Sequence, residues 1–401
     1  MYFSLRHIHY LVIFTLLGSC VQPFDIEVGE SEEVLVISGV LTNKEGIHEV
    51  SVSYTRGIES TEQRTVDDAN VWIEDQDGVT YPLSGVGEGK YETADGFCGL
   101  IGNTYQLFVE AGENLYQSTP SLLREPVEID SIHWRYAEVE DPAEEVISPG
   151  AQFFVDSHSD QSGRLFFRYE WEGTHQIQVP LAGTHTVEDG EIVPIDHVVN
   201  PCYQTNISNS IILASSENLT ENRVPDAPIQ FVPEYSVKLR HAYSLLVKQY
   251  ALNSDAYNYY RLLKENNESA GSFFDEQKGA VIGNLSSSDP TEVVLGYFEV
   301  SGFSEKRRQF RRSNDFASQL AQPRYPYDCG PRLQCEGTDC VDIFETGIEE
   351  AIRLITTQEY GPLQIHDYQP MSIPPYAHVH VIGCTDCSFY ASTEVPEFWI
   401  R

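Results

Sequence analysis

The chain is predicted to be mainly β: an N-terminal immunoglobulin-like β-sandwich followed by a larger β-rich domain with one or two short helices. Three observations lead there. From Val34 onward, apolar residues fall in short runs of period two, the pattern of strands that bury one or both faces. Turn-forming Asp, Asn and Gly separate these runs about every eight to twelve residues over roughly 90 residues, the spacing of an immunoglobulin-like sandwich. A convincing helical stripe occurs in a single stretch, Ser254 to Glu265.

In chain order, residues 1–19 have the form of a lipoprotein signal peptide. Arg6 precedes an apolar run, Tyr10 to Leu17, that is too short for a stable bilayer span, and Gly18-Ser19 lead into Cys20. With Leu17 three places ahead of the cysteine, the segment resembles a bacterial lipobox. Cys20 is therefore the expected lipidation site and mature N-terminus. Several acyl chains, at about 0.8 kcal/mol per buried methylene, would hold the body essentially permanently at a membrane. Residues 20–33 carry Asp25, Glu27, Glu30, Glu32 and Glu33 without a regular period, which suits an acidic tether.

Residues 34–118 hold the expected sandwich. In the first run Val34, Val36, Ser38 and Val40 alternate with Leu35, Ile37, Gly39 and Leu41, so both faces are largely apolar. His48 to Tyr54 places Val50, Val52 and Tyr54 on one face. Ala69 to Glu74 is closed by Asp75-Gln76-Asp77-Gly78, a hairpin signal. Tyr81 to Leu83, Lys90 to Thr93 and Thr104 to Glu110 bring the set to about seven strands. Gly85, Gly87 and Gly89-Lys90 predict a hairpin turn and not a phosphate loop, because the spacing is wrong and no helix pattern follows. Ser118 to Pro126, with two prolines, is expected to be a linker.

Residues 127–401 form the second, β-rich region. Strands are expected at Gln152 to Val155, Arg164 to Glu172, Ser210 to Ala214, Tyr235 to Arg240 and Tyr243 to Tyr250, and Glu138 to Glu145 is expected to be a solvated loop. In the helix, Ala256, Tyr259, Tyr260 and Leu263 make one stripe, Asn253 or Ser254 can cap it, and Asn266, Asn267 and Gly271 end it. That tyrosine stripe is expected to pack on a sheet in preference to serving as a ligand platform. The basic run Lys306 to Arg312 suits an edge strand or loop neutralised by the protein's own acids more than a site for anionic lipid. A further short helix is expected within Asp342 to Thr356, with Ile348, Ile352 and Leu354 apolar.

A length of 401 residues implies two or three domains, and after the signal no apolar run approaches the ~18 residues of a spanning helix. A net charge of -36 excludes strong attraction to phosphate backbones, so nucleic acid is not an expected partner. Of the eight cysteines, Cys98 is the expected odd one once Cys20 carries lipid. Cys202, Cys329, Cys335, Cys340, Cys384 and Cys387 are candidate disulfide residues, with connectivity open. His378 and His380 with Cys384 and Cys387 have zinc-like spacing, but an oxidising compartment favours strand histidines beside structural disulfides. No metal site, cofactor or catalytic residue is expected, since the Gly-x-Ser-x-Gly, His-Glu-x-x-His and dinucleotide patterns are all missing from the sequence.

One ordered set of segments carries a resemblance. The run Tyr243 to Leu252, Asp255-Ala256-Tyr257, Gly271-Ser272-Phe273-Phe274-Asp275, Gly283-Asn284 and Gly296-Tyr297-Phe298 lies between an opening Val36 to Thr42 and a closing Cys384-Thr385-Asp386-Cys387 with Pro396-Glu397-Phe398-Trp399. The set resembles the domain-of-unknown-function 4249 family, lipoproteins of Bacteroidota outer membranes, and covers nearly the whole mature chain. It departs from the family where Ser388 to Ser392 replace a glycine-rich turn. Read from the residues alone, Gly271, Gly283 and Gly296 serve backbone geometry, and Asp275 and Asn284 suit turn caps. The resemblance implies a non-catalytic protein, lipid-anchored and cell-surface exposed at the outer membrane, accessory to a TonB-dependent transporter in ligand capture or uptake. A structural or assembly factor of the outer membrane is the alternative, and an extracytoplasmic hydrolase a more distant one.

Overall fold

The computed structural model describes residues 33–56, 63–141, 146–160, 163–196, 200–269, 281–323, 329, 333–336, 339–342, 345–360 and 362–400, with backbone alone for 141, 333–336 and 339–342. The signal, Cys20, nearly all of the tether, Gly271 and Asp275 lie outside the described residues. Strands make up 50% of the chain and helices 13%, so it is mainly β, as its alternation predicts.

The first core is a sandwich built by period-two burial. The strand Leu35–Thr42 pairs antiparallel with Glu49–Tyr54, setting Ile37 opposite Val52, and Leu35, Ile37, Leu41, Val50 and Val52 all point inward. Asn70–Asp75, Thr104–Ala111 and Asn114–Ser118 face them with Val71, Ile73, Leu107, Val109 and Tyr116. Asp75 accepts the N–H groups of Asp77 and Val79 at 3.0 Å and Gly78 sits at φ 79°, as a tight hairpin requires. At the next turn Glu88 and Gly89 both have positive φ, 54° and 70°, a primed hairpin between Thr80–Gly87 and Lys90–Glu92.

The chain returns to this core late. Leu285–Ser287 pairs with Asn114–Ser118, while Val294–Leu295 and then Phe298 to Ser301 pair in parallel with the opening strand. Leu285, Val294, Phe298 and Val300 complete the first core. Residues 118–126 are not a loose linker: Ser121–Leu122 pairs with Thr104–Ala111, and Leu123 is wholly buried, its N–H donated to Asn103. The two prolines flank this stretch, so they do not prevent it from closing the wall.

Phe298–Arg311 runs on into a second sandwich. From Gly302 it pairs antiparallel with Ala242–Ala251, which pairs in turn with Phe166–Ile177. Ile129–Asp141, Val146–His158 and Arg223–Pro233 form the facing sheet, and Phe153, Phe167, Tyr169, Leu245, Val247 and Phe310 fill the space between. Two expectations change here. Glu138 and Glu140 lie on a strand that continues through Asp141, exposed but paired with Pro149 and Ile147 of the neighbouring strand, and residues 142–145 of the expected loop lie outside the described residues. Tyr235 to Arg240 is not a strand; Ser236 caps a single 3-10 turn, Val237–Leu239, that tucks Leu239 into the core.

The basic run is used internally. Lys306 Nζ donates to the carbonyls of Ile129 and Asp130 at 2.9 and 2.7 Å, and Arg308 donates to that of Ile132, so the cations bridge the two sheets of the second sandwich. Arg307 lies 3.5 Å over the Phe398 ring and Arg311 donates to Ile400, fastening the C-terminal tail.

A third layer holds five strands, His185–Glu188, Glu191–Pro194, Leu363–Gln369, Tyr376–Val381 and Glu345–Gly347. The helix Ile348–Thr357 covers one face, setting Ala351 and Leu354 on Leu363, Ile365, Ala377 and Val379. It starts later than expected, since 345–347 still pair as a strand. Disulfides join Cys202 to Cys387 and Cys329 to Cys384, and Cys335 faces Cys340 in a hairpin register. Cys98 is a free thiol, half-buried. No helix among the described residues is long and apolar enough to cross a membrane.

Candidate functional site

The outer face of the second sandwich's larger sheet carries a solvent-open groove of about 750 Å³. Period two and register explain its floor. Arg168 and Glu170 share one face of Phe166–Ile177, and the register sets Arg168 opposite Tyr250 and Glu170 opposite Lys248. The next strand sets Phe303 opposite Tyr250 and Glu305 opposite Lys248. Two rows thus cross three strands, one aromatic behind a guanidinium and one of alternating charge. The opening strand and residues 44–49 form one wall, and Tyr260 and Tyr297 form part of another.

At the inner end a charge is buried. Arg168 is 8% exposed and Glu299 0%, with Nε 2.9 Å from Oε2 and Nη2 3.3 Å from Oε1. Ser301 adds a hydrogen bond to Glu299 at 2.6 Å. Glu170 takes the remaining side of the guanidinium and accepts the Tyr250 hydroxyl at 3.0 Å. The guanidinium stacks 4.0 Å over Tyr250 and 5.2 Å over Tyr260. Burial disfavours the charge on Arg168, but the Glu299 carboxylate outweighs it and the pKa ends well above the ordinary arginine value. Burial first, and Glu299 second, push the Tyr260 hydroxyl well up, and burial then Glu170 raise Tyr250. Both stay protonated donors.

The cations at the rim are paired as well: Lys44 with Glu305 at 2.9 Å and Lys248 with Glu172 at 2.5 Å. Burial lowers the pKa of His48, despite the Lys44 carbonyl, and favours its neutral form. Every one of these cations therefore has a carboxylate partner before any ligand enters, and carboxylates outnumber cations. The groove can recognise shape and hydrogen-bonding groups, with tyrosine hydroxyls, Ser38, Ser51 and carboxylates as the polar contacts.

The tyrosine stripe does two things at once. The helix, which runs Ser254–Ser269 with Asn253 Oδ1 capping the Ala256 N–H at 2.7 Å, buries Ala256 and stacks Tyr259 on Tyr297 at 4.8 Å, as packing on a sheet predicts. Its neighbour Tyr260 lines the groove. The helix runs through Asn266 and Asn267 before ending. Sequence reasoning did not single out Arg168, Glu170 or Glu299; an arginine and a glutamate inside otherwise buried strands were the available signal.

Gly283, Asn284 and Gly296 hold the crossing where the chain re-enters the first core. A Cβ on Gly296 would sit 1.9 Å from the Ile37 carbonyl oxygen, and its φ is +101°. A Cβ on Gly283 would meet the Gly296 oxygen at 1.6 Å. The Asn284 side chain brackets Phe298, accepting its N–H and donating to its carbonyl, both at 2.9 Å. These residues position the strand that carries Glu299.

The zinc-like quartet is not a unit. Cys384 and Cys387 are committed to different disulfides, while His378 and His380 share the strand face turned away from the helix, with His366 beside them. His133, Asp156 and Asp226 are the described residues whose ligand atoms lie within 4.8 Å of one another. There the acids are already engaged: Asp226 by His133 at 2.9 Å and by Arg135, Asp156 by the Ser131 hydroxyl at 2.7 Å and the Asp226 N–H at 2.9 Å. That cluster staples three strands.

No curated protein matches the chain. A family model described as a domain of unknown function, DUF4249, matches residues 21–307, a span that takes in the first sandwich, all but the end of the second, the groove and the Gly283 to Phe298 crossing. The chain belongs to the DUF4249 family.

Proposed function

We propose that the protein is a non-catalytic, lipid-anchored protein of the outer-membrane surface that assists a TonB-dependent transporter in capturing or admitting a ligand, and that the tyrosine-lined groove receives that ligand. The observation that carries the binding role is the paired floor: Arg168, Lys44 and Lys248 each have a carboxylate partner, so the surface is preorganised. A groove of this kind disfavours an anion, which would have to take a cation from its carboxylate and approach further acids, and suits a hydrogen-bonding ligand without negative charge. The anchoring role rests on Leu17-Gly18-Ser19-Cys20 and the acidic stretch behind it.

The test is a crosslinked pull-down of the full chain from native membranes, beside fractionation of Cys20→Ser. A large barrel protein should copurify, and the variant should leave the membrane fraction. Retention of Cys20→Ser in that fraction would overturn the anchor, and repeated capture without a barrel protein would overturn the transporter role. Tyr260→Ala should keep the partner while weakening ligand uptake.

A further inference from the structure

The facing sheet of the second sandwich has three strands in the order Arg223–Pro233, Val146–His158, Ile129–Asp141, so Ile129–Asp141 is an edge. Its pairing shifts register only near Ile129 and then runs unbroken, from Ser131 opposite Asp156 to Asp141 opposite Val146. Arg308, from the other sheet, donates to the carbonyl of Ile132, which shows that Ile132 turns its backbone groups away from the neighbouring strand. By the alternation of an antiparallel ladder, Trp134, Tyr136, Glu138 and Glu140 turn theirs the same way. Lys306 and Arg308 thus cover the start of the edge through the carbonyls of Ile129, Asp130 and Ile132. Past Ile132, the outward N–H and C=O groups of those four residues have no hydrogen-bond partner among the described residues.

We propose that the edge from Trp134 to Glu140 is a docking site for strand addition, taking an extended segment of a partner protein in which lysine or arginine alternates with apolar residues. Main-chain hydrogen bonds supply the attraction in this mode and alternate side chains supply the selectivity. Tyr136, Glu138 and Glu140 share one face of the strand and are exposed. The Tyr136 hydroxyl donates to Glu138 at 2.9 Å, and neither glutamate has a cationic partner among the described residues. Arg135 points to the other face and is held there by Asp226. Ala137 and Val139 share that other face, and Val146 on the neighbouring strand extends it, with Val139 37% and Val146 52% exposed. A strand laid along this edge therefore meets carboxylates on one side and apolar surface on the other.

A second copy of this chain is a poor occupant. Two such edges would bring together the same negative residues, and a net charge of -36 adds to the repulsion. The acids blunt the edge against its own kind and admit a basic strand. Long edges are commonly interrupted by a proline or a bulge, and from Ile132 to Asp141 this one carries neither. The inference rests on neither the groove nor the transporter role.

The probe is a short peptide of alternating lysine and valine, titrated into the full chain by fluorescence anisotropy. One equivalent should bind, with carbon-13-labelled peptide carbonyls moving to strand frequencies in the infrared, and glutamate in place of lysine should abolish binding. An acidic protein attracts any lysine-rich peptide, so backbone chemistry decides. Of two peptides, one N-methylated at the lysine amides and one at the valine amides, a single one should lose binding, because only one set faces the edge. Glu138→Pro removes an outward N–H and leaves the ladder to Val146–His158 in place, so it should abolish binding with unchanged near-ultraviolet circular dichroism. Glu138→Gln should weaken binding only about two- to fivefold. Glu140→Pro, nearer the strand end, repeats the test should Glu138→Pro disturb the fold. No binding of the basic peptide, equal binding of the two methylated peptides or of the acidic one, binding that survives a folded proline variant, or dimerisation of the chain through this edge would each overturn the site.

Discussion

Arg168 and Glu299 meet across an intervening strand at 2.9 Å, the carboxylate wholly buried and the guanidinium nearly so. Removing one partner strands the other charge away from water. Glu299→Gln or Arg168→Ala should therefore cost about 3–5 kcal/mol, while Arg168→Met combined with Glu299→Leu should recover most of it. Urea denaturation of the three variants checks this; single variants as stable as the parent would show that the pair is better solvated than its burial implies.

Gly296 and Ile37 make a second constraint at the same crossing. Because a Cβ would lie 1.9 Å from backbone oxygen, and the residue sits at φ +101°, Gly296→Ala should destabilise on the order of 3 kcal/mol. Gly78→Ala, whose added Cβ meets nothing within 4 Å, should cost less, since conformation alone opposes it. Thermal melts of the pair separate close approach from backbone strain.

His175 supplies a pH dependence. It is wholly buried on the core face of Phe166–Ile177, and burial first, with Lys238 second, lowers its pKa to about 4. Above the unfolded value near 6.5 both states hold it neutral. As pH falls below that value the unfolded chain takes up the proton first, so stability declines until the folded value is reached. The loss between pH 7 and pH 4 from this group should approach about 3 kcal/mol. Denaturation midpoints should fall over that window and fall less steeply in His175→Leu.

The disulfides predict a peptide map. Non-reducing digestion should link Cys202 to Cys387 and Cys329 to Cys384, with no bridge inside the Cys384 to Cys387 pair. Reduction should loosen the third layer before either sandwich, since both bridges end there, and Cys202→Ser/Cys387→Ser should cost about 2–5 kcal/mol. Limited proteolysis reads the order of loosening.

Local rules made the strands legible: Val50 and Val52 had to face inward together, and Asp75 to Gly78 had to turn. The helix was legible for the same reason, in its stripe and its Asn253 cap. What escaped was long-range. Nothing near Ser118 to Pro126 announces that Leu123 has a slot in the first core, and nothing beside Phe298 says that it pairs with Gly39, some 260 residues earlier. The groove escaped for the same reason, because Arg168, Tyr250, Glu299 and Phe303 become neighbours only through register. The histidine face was half visible, His378 and His380 by alternation, whereas His366 joins them only through the pairing of its strand, which no local signal marks.

The parallel pairing of Phe298 to Ser301 with the opening strand also sets an order of events. A ribosome or a secretion channel delivers the first strands long before the segment that seals them, and until that segment arrives the edge of Leu35–Thr42 has no partner on that side. A recombinant fragment stopped near residue 118 should be sticky and poorly folded, whereas one carried past Arg311 would hold every strand that both sandwiches share. Two bodies that share a beam cannot be prised apart like beads on a string, so force applied at the amino end is felt directly at the floor of the groove.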